Sequence, residues 1–443
     1  MTRDSDFKKG YCDFINNMIG KGYAEECPRD TYRDTVNLNG IQKTSRWYLP
    51  HFPVVHPQKK KLRVVHDTAA KTSGVSLNSL LLPGPDLLQP LLHILFRFRE
   101  GYVAMTADVR EMFPQFRIKE ADRDALRFIW RENPSCELKE YRMTSVIFGA
   151  ACSPCTALYI KNRNARELQK SYPAASKAVI HDHYMDDFLG SLDDVQEASQ
   201  LAADIVTVHK AAGMEMRDWV ANIPSALAAV PEDLRASPPN NVDVGPETFV
   251  RTLGLIWHPQ SDTFSFRNGS PIPEKEKLTK RKVLSYLMCV YDPLGLLTPL
   301  IIQGRILFQQ TWRTCINWDS ELQPDAIHKW RAWSQLLAII SDLKIPRWYR
   351  CGFQNEDIAD RQLHVFADAS EEAYCCVACW RFTFLNGTVK LSLIGGKARL
   401  SPLKPASIPR LELQAALVAA RFANTVCTGH DIHPNSTYYW TDS

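Results

Sequence analysis

The sequence predicts an α+β chain of several domains in which short strands carry acidic side chains to their ends, and three observations lead there. The first is Tyr184-Met185-Asp186-Asp187, a pair of carboxylates between Val179-Ile180-His181 and Phe188-Leu189-Gly190. Those β-branched, aromatic and apolar flanks read as the arms of a hairpin with the acids at its tip. The second is Thr106-Ala107-Asp108, an acid closing an apolar run that starts at Tyr102. The third is a C-terminal succession: strand-like runs at 364–370, 373–382 and 389–395, a helix-like run from Ile408, and a last strand-like run at 438–442.

Adjacent carboxylates in a poorly solvated place repel by several kcal/mol unless a cation sits among them. An Asp-Asp tip alone would be an ordinary turn, but with Asp108 it makes three carboxylates from two strands. Such a set can hold two Mg²⁺ ions about 3.5–4 Å apart for in-line phosphoryl displacement. The C-terminal succession repeats the pattern. Asp368 ends its first strand, Glu412 lies in the first turns of the helix that opens with Ile408-Pro409, and Asp442 ends the last strand.

Composition bounds the rest. The chain has 443 residues, 45% hydrophobic and 23% charged, with net charge +4. That is an ordinary globular balance, large enough for two to four domains and too mildly basic for nucleic-acid binding by total charge. Basic residues are instead clustered. Twelve cysteines spread along so long a chain read as reduced thiols. Cys152-x-x-Cys155 and Cys376-x-x-Cys379 have no second pair at zinc spacing. The apolar stretch 283–302 contains Asp292-Pro293, Gly295 and Pro299, which fit two short helices and a break, not a membrane span.

In chain order, Tyr11, Phe14, Ile15, Met18 and Ile19 have helical spacing, closed by Gly20 and Gly22. Two β-rich runs, 47–55 and 59–67, follow, joined by a turn that carries Lys59, Lys60 and Lys61, with Arg63 just beyond. The spacing predicts helices over 87–98, 157–172 and 195–213. It predicts a strand over 102–108 and a proline-rich linker over 224–246. Lys275, Lys277, Lys280, Arg281 and Lys282 are expected on one basic helical face, and Trp312, Trp318, Trp330, Trp333 and Trp348 in the core of connecting helices.

These motifs resemble a reverse transcriptase, in particular the polymerase region of BEL/Pao-type LTR retrotransposons. The resemblance spans nearly the whole chain. It rests on Asp108, the Tyr184–Asp187 tetrad, Arg63 before Asp67, Phe148-Gly149 with Ser153-Pro154, and Met18-Ile19-Gly20-Lys21-Gly22-Tyr23-Ala24-Glu25. It implies a right-hand polymerase of fingers, palm and thumb, then a connection, then an α/β RNase H-like domain. The expected divisions are a lead-in helix of the fingers at 1–45, fingers and palm at 46–245, primer grip, thumb and connection at 246–360, and the RNase H-like domain at 361–443. The family's fourth nuclease acid would follow Asp442, so that last domain is expected to be incomplete and its cleavage weak.

The implied roles follow residue by residue. Asp108, Asp186 and Asp187 would hold two Mg²⁺ at the polymerase site, and Asp368, Glu412 and Asp442 two more at the nuclease site. Arg63 would hold the triphosphate of the incoming dNTP, with help from the lysines before it. Phe113, five residues after Asp108, would block a ribose 2′-hydroxyl; by pattern alone it reads sooner as a core aromatic. Residues 252–257 match the primer grip. Phe148 stands where retroviral enzymes have Gln, and Asp218 where a basic residue usually precedes the tryptophan. Implied partners are an RNA template, a DNA primer, RNA-DNA hybrid and dNTPs, with no membrane and the oligomeric state open. The implied location is cytoplasmic, within virus-like particles. A decayed, non-catalytic nucleic-acid-binding copy and an RNA-synthesising polymerase are the rivals; Phe113 and the nuclease motifs weigh against the second.

Overall fold

The structure is a computed structural model that describes residues 5–28, 46–55, 62–236, 250–267, 271–314, 316–354 and 356–442. The chain divides into two compact units. The first comprises residues 1–88, 109–167 and 209–215, the second residues 89–108, 168–208 and 216–443.

In the first unit the helix Ser5–Gly20 lays Tyr11, Ile15 and Met18 on a core with Phe128, Trp130 and Met143. Those last residues come from a three-stranded antiparallel sheet of Ala24–Glu26, Lys139–Met143 and Arg127–Trp130. The two β-rich runs near the N-terminus form an antiparallel hairpin, His51–Val55 on Leu62–His66, with Arg63 exposed opposite Val54. Lys59, Lys60 and Lys61 lie outside the described residues. Ser153–Glu167 is helical and starts four residues ahead of the expected point, because Pro154 suits the first turn.

The second unit is built on a four-stranded sheet in the order Met216–Ala221, Val103–Val109, Asp187–Leu192, His183–Tyr184. Against it packs Leu91–Phe98, a helix that begins only after Pro90; a residue preceding proline is pushed to extended backbone, which removes the expected first turn. One expectation fails. Val179-Ile180-His181 is not a strand arm but the end of a helix, Pro173–His181, started by Pro173 and Ala-rich enough to outweigh its two β-branched residues. The acidic hairpin is therefore short on that side.

Beyond it come the hairpin Val250–Thr252 on Leu255–His258, with Leu253-Gly254 as its turn, and three helices, Lys280–Met288, Thr298–Arg313 and Pro324–Ile339. The break between the first two is where Asp292-Pro293 and Gly295 predicted it. Lys275 and Lys277 precede the helix, Arg281 pairs with Asp319 and Lys282 with Glu276, so the expected basic face is largely neutralised. Trp330, Trp333 and Trp348 are buried as expected, whereas Trp312 and Trp318 stand half-exposed with Lys280 and Arg281 over their rings. Residues 224–236 form two 3-10 turns, and 237–246 of the expected linker lie outside the described residues.

The C-terminal sheet has the order Val389–Leu400, Ala373–Phe384, Ile358–Ala369, Ser436–Trp440, antiparallel except for the last pair. The helix Ile408–Gly429 covers one face. One hydrophobic core runs from Ile94, Phe96, Phe98 and Leu189 through Trp257 and Leu294 to Trp380, Phe422 and Val426. At its middle His430 stacks on Phe96 with ring centroids 4.6 Å apart. The His430 ring accepts from the Tyr349 hydroxyl at 3.0 Å, while its Nδ1 lies 2.7 Å from the Val426 carbonyl. A second tie is backbone on backbone. Gly395 and Gly396 meet Leu294 and Gly295 so closely that a Cβ on Gly295 would lie 1.8 Å from the Gly396 carbonyl oxygen. The Gly396 N–H donates to the Leu294 carbonyl at 3.1 Å, and Asp292 caps the turn by accepting from the N–H groups of Leu296 and Leu297.

Candidate active sites

The central sheet of the second unit brings Asp187 directly opposite Asp108 across the antiparallel pair, with Phe188 opposite Ala107. Tyr184 pairs with Asp187, so Met185 and Asp186 are the two residues of a tight turn. Met185 takes φ +56, which a non-glycine residue adopts at a cost of order 1–2 kcal/mol. Strain of this kind persists only where surrounding structure over-determines it. Here the surroundings are Phe188 beneath the acids, buried against His183 and Trp219, and Asp182 at the hairpin's base, whose carboxylate accepts from Arg97 Nε at 2.6 Å.

The electrostatics follow from that crowding. Burial, then the neighbouring charges of Asp186 and Asp108, push the Asp187 carboxyl up to about 7. Asp108 has a cationic partner. Arg217 donates from Nη2 at 2.8 Å and Nε at 3.0 Å to its Oδ2. Sequence pattern did not reveal Arg217, because Asp218 takes φ +54 and breaks the strand's alternation between faces. Arg63 and Phe113 belong to the first unit. Phe113 sits on the short helical turn Met112–Gln115, half-buried, with its ring centroid 4.7 Å from that of Phe148. Phe148 is therefore the ring neighbour of Phe113, a pairing that a linear sequence does not disclose.

The second acidic set lies at the C-terminal sheet and its helix, with Asp442 two residues beyond the end of the strand Ser436–Trp440, which stops short of the expected 442. Asp368, Glu412 and Asp442 each offer a carboxylate oxygen, and these oxygens all lie within 4.8 Å of one another. Among the described residues this is the one such group of three acidic, histidine or cysteine side chains. Glu412 is buried; its Oε1 accepts from the Ala369 N–H at 3.1 Å, and its Oε2 is buried without a hydrogen-bond partner. A buried carboxylate oxygen left unsatisfied is costly, and a divalent cation shared with Asp368 and Asp442 would satisfy it. At the Asp108, Asp186 and Asp187 set, the raised proton affinity of Asp187 is the corresponding sign of a place that favours added positive charge. Cys376 is buried in the sheet, and burial pushes its thiol up to about 11.

Residues 279–443 match the family model described as the Pao retrotransposon-like RNaseH-like domain. This segment is similar to that family. The fold of the whole chain is similar to two solved foamy viral structures. One is a protease-reverse transcriptase dRH in complex with ds DNA, with TM-score 0.53 and 15% identity over 98% of this chain and 63% of that one. The other is a protease-reverse transcriptase in complex with RNA/DNA hybrid, with TM-score 0.53 and 14% identity over 99% of this chain and 49% of that one. The chain thus spans about half to two thirds of the length of these relatives. No curated protein matches it. Fold and Pao-type segment together are consistent with a Pao/BEL reverse transcriptase–RNase H region. Among the described residues no helix is long and apolar enough to cross a membrane.

Proposed function

We propose that the chain is a retroelement DNA polymerase that extends a DNA primer on RNA or DNA templates. The observation that carries this reading is Asp187 in register with Asp108 at a strained two-residue turn, crowded enough to hold its proton to about neutrality. Asp108, Asp186 and Asp187 would hold Mg²⁺. When bound, two such ions supply charge neutralisation to the attacking and leaving oxygens of phosphoryl transfer. The chain's own part is positioning. Arg217 would give up Asp108 to the cation, Arg63 would offer its guanidinium to the triphosphate, and Phe113 would fill the space that a 2′-hydroxyl needs. The foamy viral neighbours, solved with ds DNA and with RNA/DNA hybrid, suit nucleic-acid partners of both kinds.

Extension of a labelled DNA primer on an RNA template tests the reading. Asp186→Asn is expected to lower the rate by at least about a thousandfold, the scale of losing a preorganised electrostatic partner, with template binding kept. Equal extension by both proteins would overturn it. For the sugar gate, Phe113→Val is expected to raise ribonucleotide incorporation relative to deoxynucleotide by roughly 10- to 100-fold; an unchanged ratio would mean that the ring only packs.

At the second acidic set, Asp368, Glu412 and Asp442 would hold the divalent ions of an RNA-cleaving RNase H site acting on the hybrid. One observation favours a second reading for the polymerase half, a non-catalytic nucleic-acid-binding copy: Arg217 already neutralises Asp108. Binding of primer-template without extension, by a folded chain supplied with Mg²⁺, would select it.

A further inference from the structure

Phe113 stands two residues after Glu111, whose backbone is left-handed, φ 48 and ψ 44. For a residue with a Cβ that conformation needs an outside hold. The hold is a clamp from the N-terminal helix and the turn after it. The Lys21 ammonium donates to both Glu111 carboxylate oxygens, at 2.7 and 3.0 Å, and the Tyr23 hydroxyl donates to Oε2 at 2.9 Å. The turn itself is fixed. The N–H groups of Lys21, Gly22 and Tyr23 donate to the carbonyls of Asn17, Ile19 and Met18, and the Thr144 N–H donates to the Tyr23 carbonyl. Burial alone would raise the Glu111 carboxyl, but the hydrogen bonds from Lys21 and Tyr23 outweigh it and hold it below the usual range. The clamp is therefore charged at neutral pH.

Phe113 is also held from the Phe148 side. Phe148 meets its ring at a tilt of 56°, and the next residue is anchored by Thr68 and Asn78, which donate to the Gly149 carbonyl at 2.6 and 2.9 Å. The backbone beside Phe148 is thereby tied down, although its ring is exposed. The aim of the Phe113 ring then depends on whether Glu111 keeps its left-handed turn, and a steric gate discriminates only if its contact surface stays within a fraction of an ångström of place.

We propose that Lys21 and Tyr23 act through Glu111 as positioning residues for Phe113, and so set how strictly the chain rejects a ribonucleotide. This rests on the polymerase reading above. It gives the Lys21-Gly22-Tyr23 stretch a task that its sequence does not suggest, since a Lys and a Tyr after a helix end are ordinary surface residues.

The experiment is primer extension by the full chain with a single dNTP or the matching rNTP, comparing kcat/KM for the two sugars. Tyr23→Phe is expected to lower the deoxy-over-ribo ratio about three- to tenfold, the effect of one lost hydrogen bond, and Lys21→Met, which loses two, by at least as much. The change should lie in KM for the rNTP, with kcat for the dNTP unchanged. Lys21→Arg, which keeps the ion pair, should keep the ratio. A ratio that falls with Phe113→Val but stays put in both clamp variants and in their double would overturn the proposal and leave the polymerase reading standing. So would an equal loss of efficiency toward both sugars, the mark of a merely structural role. A wild-type chain that extends nothing would overturn both.

Discussion

Asp187→Asn is expected to make the metal-free chain more stable at pH 8 while abolishing primer extension. The folded carboxyl is held at about 7 against an ordinary 3.8. Between those two values the folded chain retains a proton that the unfolded chain has lost, so stability falls as pH rises through the window and the full penalty is present above about 7. At about 1.4 kcal/mol per pH unit, the ceiling is on the order of 4 kcal/mol, lowered by water at the open side of the turn. Asparagine carries no such penalty. Thermal unfolding followed from pH 4 to pH 8 without divalent ions should therefore fall less steeply for Asp187→Asn, and added Mg²⁺ should stabilise the wild type more than the variant. Parallel profiles for the two proteins would mean that Asp186 and Asp108 do not burden Asp187 and that the three do not form one charge cluster.

Gly295→Ala should unfold the second unit at a temperature several degrees below wild type. Gly295 has φ +74, and a Cβ there would lie 1.8 Å from the Gly396 carbonyl oxygen and 2.8 Å from its carbon. Backbone held in a sheet cannot step aside as a side chain can. The left-handed conformation costs an alanine about 1–2 kcal/mol and the collision about 1–3 more, a combined loss of about 2–5 kcal/mol. Gly387→Ala separates the two terms. Gly387 has φ +82 with nothing within 4 Å of the added carbon, so it should lose the conformational part alone. Equal losses in the two variants would show that the contact between Gly295 and Gly396 yields without cost.

The acidic residues were the most legible part of the sequence, because a carboxylate at the end of an apolar run has few reasons to be there. The sequence groups Asp108 with Asp186 and Asp187, and the structure sets Asp187 in register with Asp108. Asp368, Glu412 and Asp442 converge although 43 and 29 residues of chain intervene, since strand, helix and strand ends are positions that topology brings together. What escaped was set by backbone irregularity. Val179 and Ile180 read as strand because β-branched residues favour it, yet Pro173 and the alanines after it committed the segment to helix. Arg217 escaped because the left-handed Asp218 reverses which side chains face Asp108. The Lys21–Glu111–Tyr23 contacts escaped because they join segments some ninety residues apart with no periodicity to announce them. The two half-exposed tryptophans, 312 and 318, were expected in the core, and the cations lying over their rings account for their tolerance of water.

The continuous core from Phe96 through His430 to Phe422, with the glycine contact at Gly396, makes the Asp187 turn and the Asp368 cluster features of one compact body. If the two acidic sets are the sites proposed, the core they share would act as a caliper. For a duplex threaded past both, the stretch between its growing tip and any nick would be a constant number of base pairs, independent of sequence and of how fast either site works.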